Sequence, residues 1–162
     1  MVEYQRKDRY DINDLRDIMS ILRSPQGCPW DREQIHKSIR NDFIEEVYEA
    51  IEAIDLEDTE LLKEELGDVL LQIIFHCRIE EEKSCFDFDD ICDELCKKLI
   101  IRHPHVFGDI TVSDSGEVLK NWDSIKKETK GQTSYTETLT SVAKSLPALM
   151  RAQKVGKRAM RA

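Results

Sequence analysis

EELGDVLLQIIFH, residues 64 to 76, holds the densest apolar run of the chain, and its reading decides the fold. At 100° per residue, Val69, Leu70, Leu71, Ile73, Ile74 and Phe75 spread over most of a helix circumference, the pattern of a helix buried on nearly all sides. The polar residues do not scatter. Glu65, Asp68, Gln72 and His76 follow at steps of three, four and four, which sets them on one stripe of an otherwise apolar helix. Carboxylates on a stripe that enters a core need a counter-charge.

The segment before it, NDFIEEVYEAIEAID (41–55), puts Phe43, Ile44, Val47, Ile51 and Ile54 on an apolar face. Glu46 borders that face, Glu49 lies one turn on, and Glu45 points nearly opposite. If the two segments form an antiparallel hairpin turning near Glu57, residues equally far from the turn face one another. Glu49 and Glu65 are each eight residues away, and Glu46 and Asp68 each eleven. Four carboxylates then fall at two adjacent levels, roughly 12 to 17 Å from the tip at about 1.5 Å per residue. Gly67 is expected to let the helices approach there. So many negative charges cannot all stay ionised without cations. Mg²⁺, a hard ion that takes a few carboxylates plus water and substrate phosphates, is the natural partner, whereas the motifs of calcium loops and zinc clusters are missing. The competing account makes these acids salt bridges on a solvated helix face.

Around this hairpin the helical signals continue. Ile12 to Leu22 is periodic, and Pro25, Gly27 and Pro29 break the chain after it. The spacing predicts a second helix from the cap Asp31 to about Asp55, a third from about Asp58 to Glu82, a fourth from the DFDD at 87–90 to Arg102 before His103-Pro104, and a further one over Gly116–Lys130. No segment alternates as a strand does. The expected fold is all-α, a four-helix-bundle-like domain with additional C-terminal helices. Its expected division is a flexible N-terminus over 1–10, a domain over 11–135, and a basic helical extension or linker to a further domain over 136–162.

Composition sets limits on function. The 162 residues, 40% hydrophobic, suffice for one core. Acids outnumber Lys and Arg by 33 to 24, for a net charge of −9, which argues against stable nucleic-acid binding. From Leu139 onward there are six bases and no acid, and Leu146, Leu149, Met150 and Val155 there suit a docking helix. Five cysteines without a C-x-x-C pair read as reduced thiols of a cytoplasmic protein, and neither a signal peptide nor a membrane span is visible.

The pattern E-E-x-x-E at 45–49 followed by E-x-x-D at 65–68 resembles the MazG family of all-α nucleoside triphosphate pyrophosphohydrolases. GCPWD (27–31), FDFDDIC (86–92), RHPHVFGD (102–109), NWDSIKKE (121–128) and SLPALMRAQK (145–154) are similar to segments of the same family. The resemblance implies Mg²⁺-dependent cleavage between the α- and β-phosphates, with Mn²⁺ able to substitute, releasing a nucleoside monophosphate and pyrophosphate. It implies metal ligands at Glu46, Glu49, Glu65 and Asp68, and catalytic roles for Glu46 and for Glu45, which holds a further ion or polarises water. Lys98 and Arg102 fall on phosphate-contacting positions, and Trp122 and Lys126 on nucleotide-contacting ones. Ile100 and Ile101 depart from the polar or basic residues that relatives often carry before the arginine. The resemblance also implies a homodimer, which the apolar side of so few helices would fit.

Two other classes compete. A non-catalytic helical regulatory or interaction module would use its acids only to solvate a surface. A di-iron carboxylate bundle would match Glu33-x-x-His36, but the second E-x-x-H that it needs does not occur. Trp30 is expected to fill the core beneath its loop, His103 and His105 to form a packed turn, and Cys92 and Cys96 to be small core residues.

Overall fold

The computed structural model describes residues 4–129 and 134–160, and every regular element among them is helical. In chain order these are α1 (Ile12–Leu22), α2 (Pro29–Glu33), α3 (Arg40–Asp55), α4 (Thr59–Glu81), α5 (Phe88–Arg102), α6 (Pro104–Phe107), α7 (Ser115–Thr129), α8 (Tyr135–Thr140) and α9 (Ala148–Ala159). The all-α architecture with extra C-terminal helices is the one that the periodicities predict. Lys130, the expected last residue of the α7 segment, lies outside the described residues. The chain divides into two compact units, Met1–Asp93 and Glu94–Ala162.

In the first unit, polar residues start the helices. The Asp11 carboxylate accepts the N–H groups of Asn13 and Asp14 at 2.8 and 3.2 Å, and Asp14 answers by accepting the Asp11 N–H at 3.0 Å. This reciprocal cap satisfies donors that the first turn of α1 would otherwise leave open. Asp58 does the same for α4, accepting from Glu60 and Leu61 at 3.1 and 3.0 Å, a cap worth about 1 kcal/mol. Between α3 and α4 the chain turns through Leu56, Glu57 and Asp58, with Glu57 in the left-handed region at φ 55°. So short a connection makes the two helices antiparallel neighbours, and they pack together. α1 also packs on α4.

The core is made by Met19, Ile39, Ile74, Phe75 and Ile79, with Ile12, Leu15, Leu70, Leu71 and Phe88 packed against it. Burying each such side chain contributes roughly 1.5–3 kcal/mol. This core sits at the C-terminal half of α4, where Gln72, Ile74, Phe75, Cys77 and Ile79 are buried. The N-terminal half is not enclosed: Leu66 is 54% exposed, so α4 is buried over half its length rather than on nearly all sides. Gly67 has no close neighbour either. A Cβ there would meet nothing within 4 Å, so the glycine is not what lets α3 approach α4.

The expected single helix from Asp31 to Asp55 is broken. α2 ends at Glu33, Gln34 turns extended, and helix resumes only at Arg40. Local chemistry favours the break, because the Ser38 hydroxyl lies 2.9 Å from both the Ile35 N–H, whose bond it accepts, and the Ile35 carbonyl, to which it donates. Tertiary chemistry fixes it. The Arg23 guanidinium donates to the carbonyls of Asp31 and Gln34, taking acceptors that a continuous helix would use itself. Trp30, expected in the core, is instead 58% exposed on α2. Cys92 is half-buried but Cys96 is exposed, and all five cysteines are free.

In the second unit, α8 packs on α9 beside buried Val142, and Arg158 donates to the Thr138 carbonyl and the Ser141 hydroxyl. Leu146 and Val155 are half-buried, while Leu149 and Met150 stay exposed. Among the described residues no helix is long and apolar enough to cross a membrane.

Candidate metal centre

The hairpin places carboxylates opposite one another because both helices run uninterrupted from one short turn. Glu46 and Glu49 come from α3, one turn apart, and Glu65 comes from α4. One oxygen from each lies within 4.8 Å of the others. Glu46 and Glu65 are half-buried and Glu49 is exposed. Asp68, half-buried one turn along α4, lies close enough to act electrostatically on both Glu46 and Glu65. The two facing levels counted from Glu57 are thus present, with three of the four acids gathered at a single point.

The electrostatics follow from that crowding. Burial, then the charges of Asp68, Glu49 and Glu65, hold the Glu46 carboxyl above the usual glutamate range. Burial, then Glu49, Asp68 and Glu64, raise Glu65 in the same direction. Among the described residues no Lys or Arg is ion-paired with these acids, although Lys63 on the same helix pairs with Glu60 at 3.0 Å. A cluster of hard oxygen donors with unneutralised charge is chemically suited to a divalent cation such as Mg²⁺. The salt-bridge account of a solvated face lacks its partners here.

The other candidates lie elsewhere. Glu45 is exposed on α3. Lys98 is exposed on α5, and Arg102 at its end is half-buried, as are Trp122 and Lys126 on α7. The second unit brings Arg102 and Trp122 together, with the guanidinium carbon 5.2 Å from the ring centroid. His103 meets the same indole edge-on at 4.9 Å while bonding through Nδ1 to the Leu99 carbonyl at 2.7 Å. The expected packed turn at His103–His105 is therefore a single helical turn beside Trp122. Residue spacing pairs Lys98 with Arg102 and Trp122 with Lys126, each along one helix, and gives no sign of the Arg102–Trp122 stack between helices.

Residue spacing marks His76 on the α4 stripe and His36 in Glu33-x-x-His36, but does not pair them. His36 stacks on His76 and reaches Glu80. The signal was present, because the stripe of α4 continues by a further step of four from His76 to Glu80.

The sequence pattern of the MazG nucleotide pyrophosphohydrolase domain matches residues 34–107, a span that contains the whole carboxylate cluster. The chain carries a MazG-family domain. It is 47% identical over 148 residues to the nucleoside triphosphate pyrophosphohydrolase of Escherichia coli (strain K12), an alignment covering 91% of this chain and 56% of the relative. With the uncharacterized protein YabN of Bacillus subtilis it shares 48% identity over 148 residues, covering 91% of this chain and 30% of that one. The chain therefore spans between 30% and 56% of the length of these two relatives. Its fold is similar to the crystal structure of a mazG-related protein from Thermotoga maritima, with TM-score 0.60 and 25% identity, covering 72% of this chain and 99% of that one.

Proposed function

We propose that this MazG domain is a Mg²⁺-dependent hydrolase that converts nucleoside or deoxynucleoside triphosphates to the monophosphate and pyrophosphate. The observation that carries the reading is the meeting of Glu46, Glu49 and Glu65 from two helices within 4.8 Å of one another. In this reading those three and Asp68 hold the metal. When bound, Mg²⁺ or Mn²⁺ supplies charge for the α-phosphate oxygens and lowers the pKa of an attacking water. Glu46, or Glu45 beside it, takes the proton that the water gives up. From the family resemblance, Lys98 and Arg102 are proposed to contact phosphate, and Trp122 and Lys126 the nucleotide. The name of the Escherichia coli relative states the same class of activity for that protein.

Incubation of the purified chain with a panel of triphosphates should yield monophosphate and pyrophosphate with Mg²⁺ or Mn²⁺, and nothing with a chelator. Diphosphate plus orthophosphate would contradict the cleavage position. No turnover of any nucleotide would favour a non-catalytic regulatory or interaction module.

The same reading includes a homodimer. Ile44, Val47, Ile51 and Ile54 on α3 and Leu66 on α4 are all exposed. This is an apolar face that a second copy would cover. Sedimentation at micromolar concentration should give about twice the 18.9 kDa chain mass, and a clean monomer would refute it.

A further inference from the structure

Beyond Asp68, the polar stripe of α4 runs on through Gln72, His76 and Glu80 and there meets the loop between α2 and α3. His36 from that loop stacks on His76, with ring centroids 4.9 Å apart and planes 20° apart. Their Nδ1 atoms face each other at 2.7 Å. The other nitrogen of His36, Nε2, bonds to the Glu80 carboxylate. His76 also lies against Phe43 in the first turn of α3, at 5.6 Å between ring centroids.

Hydrogen-bond chemistry restricts what this contact can hold. At 2.7 Å one Nδ1 must donate and the other must accept, so a single proton lies between them. Glu80 is held at about 2, by Lys83 first and then by His36, so it is a carboxylate throughout the physiological range and takes the His36 Nε2–H. The network accepts two neutral rings, or one imidazolium beside one neutral ring. Two imidazoliums would set N–H against N–H.

Among the described residues, Glu80 is the charged group bonded to the pair. Lys83 and Cys85 lie behind Glu80, and Phe43 from α3 carries no charge. Arg23, which α1 brings to the same loop, is engaged by Glu82 and by the carbonyls of Asp31 and Gln34.

The position of this contact gives it a consequence. Counting from Glu57, His36 lies 21 residues back and His76 lies 19 residues forward, so the pair closes the open end of the α3–α4 hairpin. The carboxylates sit between that closure and the turn. We propose that His36 and His76 are positioning residues for the metal centre, a one-proton clasp that holds α3 against α4 and so sets the spacing at which Glu46 and Glu49 meet Glu65. This rests on the metal reading above. Burial, and then His36, keep His76 below the ordinary histidine value, so the neutral ring that the clasp needs persists at neutral pH and is lost on acidification.

Two variants of the whole chain separate the clasp from mere packing. His76→Gln keeps an uncharged group able to bond to the His36 Nδ1, whereas His76→Phe keeps a ring with no polar atom. At pH 7.5, Mn²⁺ titration should give equal affinity for wild type and His76→Gln and about tenfold weaker binding for His76→Phe, comparable with the lower end of what is lost when a group that orients ligands is removed. Between pH 7.5 and 5.5 the wild type should lose affinity more steeply than His76→Gln, because carboxylate protonation is common to both. Ring ¹⁵N shifts of the metal-free protein should show one protonated and one bare Nδ1, with coupled changes on acidification. Equal Mn²⁺ affinity of all three proteins at every pH would overturn the positioning role and leave the metal centre standing. Two rings titrating independently would overturn the clasp itself. No Mn²⁺ binding by the wild type at any pH would overturn the metal reading and this inference with it.

Discussion

Glu46→Gln should lower nucleotide hydrolysis by about a hundred- to a thousandfold while the metal-free protein melts no lower than wild type. The size of the loss is that of removing one essential electrostatic contact from a reaction centre. The stability follows from the neighbours: Asp68, Glu49 and Glu65 all repel Glu46, so neutralising it relieves strain in the empty centre. The sign with pH is fixed as well. A carboxyl whose folded-state pKa is raised favours the folded form below its unfolded value near 4.5, and that contribution is lost as pH rises through the raised value. The metal-free variant should therefore gain on wild type as pH climbs from 4.5 towards 7.5. Mg²⁺ should stabilise the wild type and the variant much less. A buried structural ion pair predicts the reverse, because losing one partner strands the other at a cost of about 3–5 kcal/mol. Paired thermal melts decide between them.

Arg23→Met is expected to cost that larger sum, about 3–5 kcal/mol. The Arg23 side chain is 5% exposed, donates to both carboxylate oxygens of Glu82 at 2.9 and 2.8 Å, and lies over the Phe75 ring at 5.3 Å. Methionine would keep the packing, leave the two loop carbonyls without their donor and leave Glu82 with Arg78 alone. Arg78 is the control. It pairs with Glu81 and Glu82 at 3.1 and 3.2 Å but is far more exposed, so Arg78→Met should cost no more than about 1 kcal/mol. Glu82 is held below the usual carboxylate range, chiefly by Arg23. Its contribution is therefore intact above about 4.5 and lost as pH falls through the lowered value, so the deficit of Arg23→Met should shrink in acid. Equal losses for the two variants in urea titrations would remove Arg23 from its role.

What could be read from the sequence is what is local along the chain. The periodicity from Ile12, the Asp58 start and the His103-Pro104 step announce the limits of α1, α4 and α5, because such signals act within a turn of where they stand. The carboxylate cluster is legible for the same reason: two regular helices and a short turn convert residue counting into geometry. The break between α2 and α3 is not, since Arg23 must arrive from another helix to take the carbonyls of Asp31 and Gln34. Gly67 misled because its spacing at the acidic level resembles a close approach that the chain does not make. Trp30 misled because a tryptophan beside proline and cysteine suggests burial, whereas α2 turns it outward. The Arg102–Trp122 stack joins two helices with no shared periodicity, so no pattern could have predicted it.

The three-residue turn at Leu56–Asp58 makes the carboxylate cluster sensitive to chain length in a way that it is not to composition. Every facing level is counted from Glu57, so one residue added inside either helix, between the turn and the acids, would rotate all beyond it by about 100° and carry one helix's carboxylates off the shared face. The added residue would need no bulk or charge to do this. Loops elsewhere can lengthen at little cost. Over generations this hairpin should accept exchanges of residue type along its flanks while rejecting insertions and deletions between residues 46 and 68. In a library of single-residue indels, loss of Mn²⁺ binding should therefore map the centre more sharply than a substitution scan.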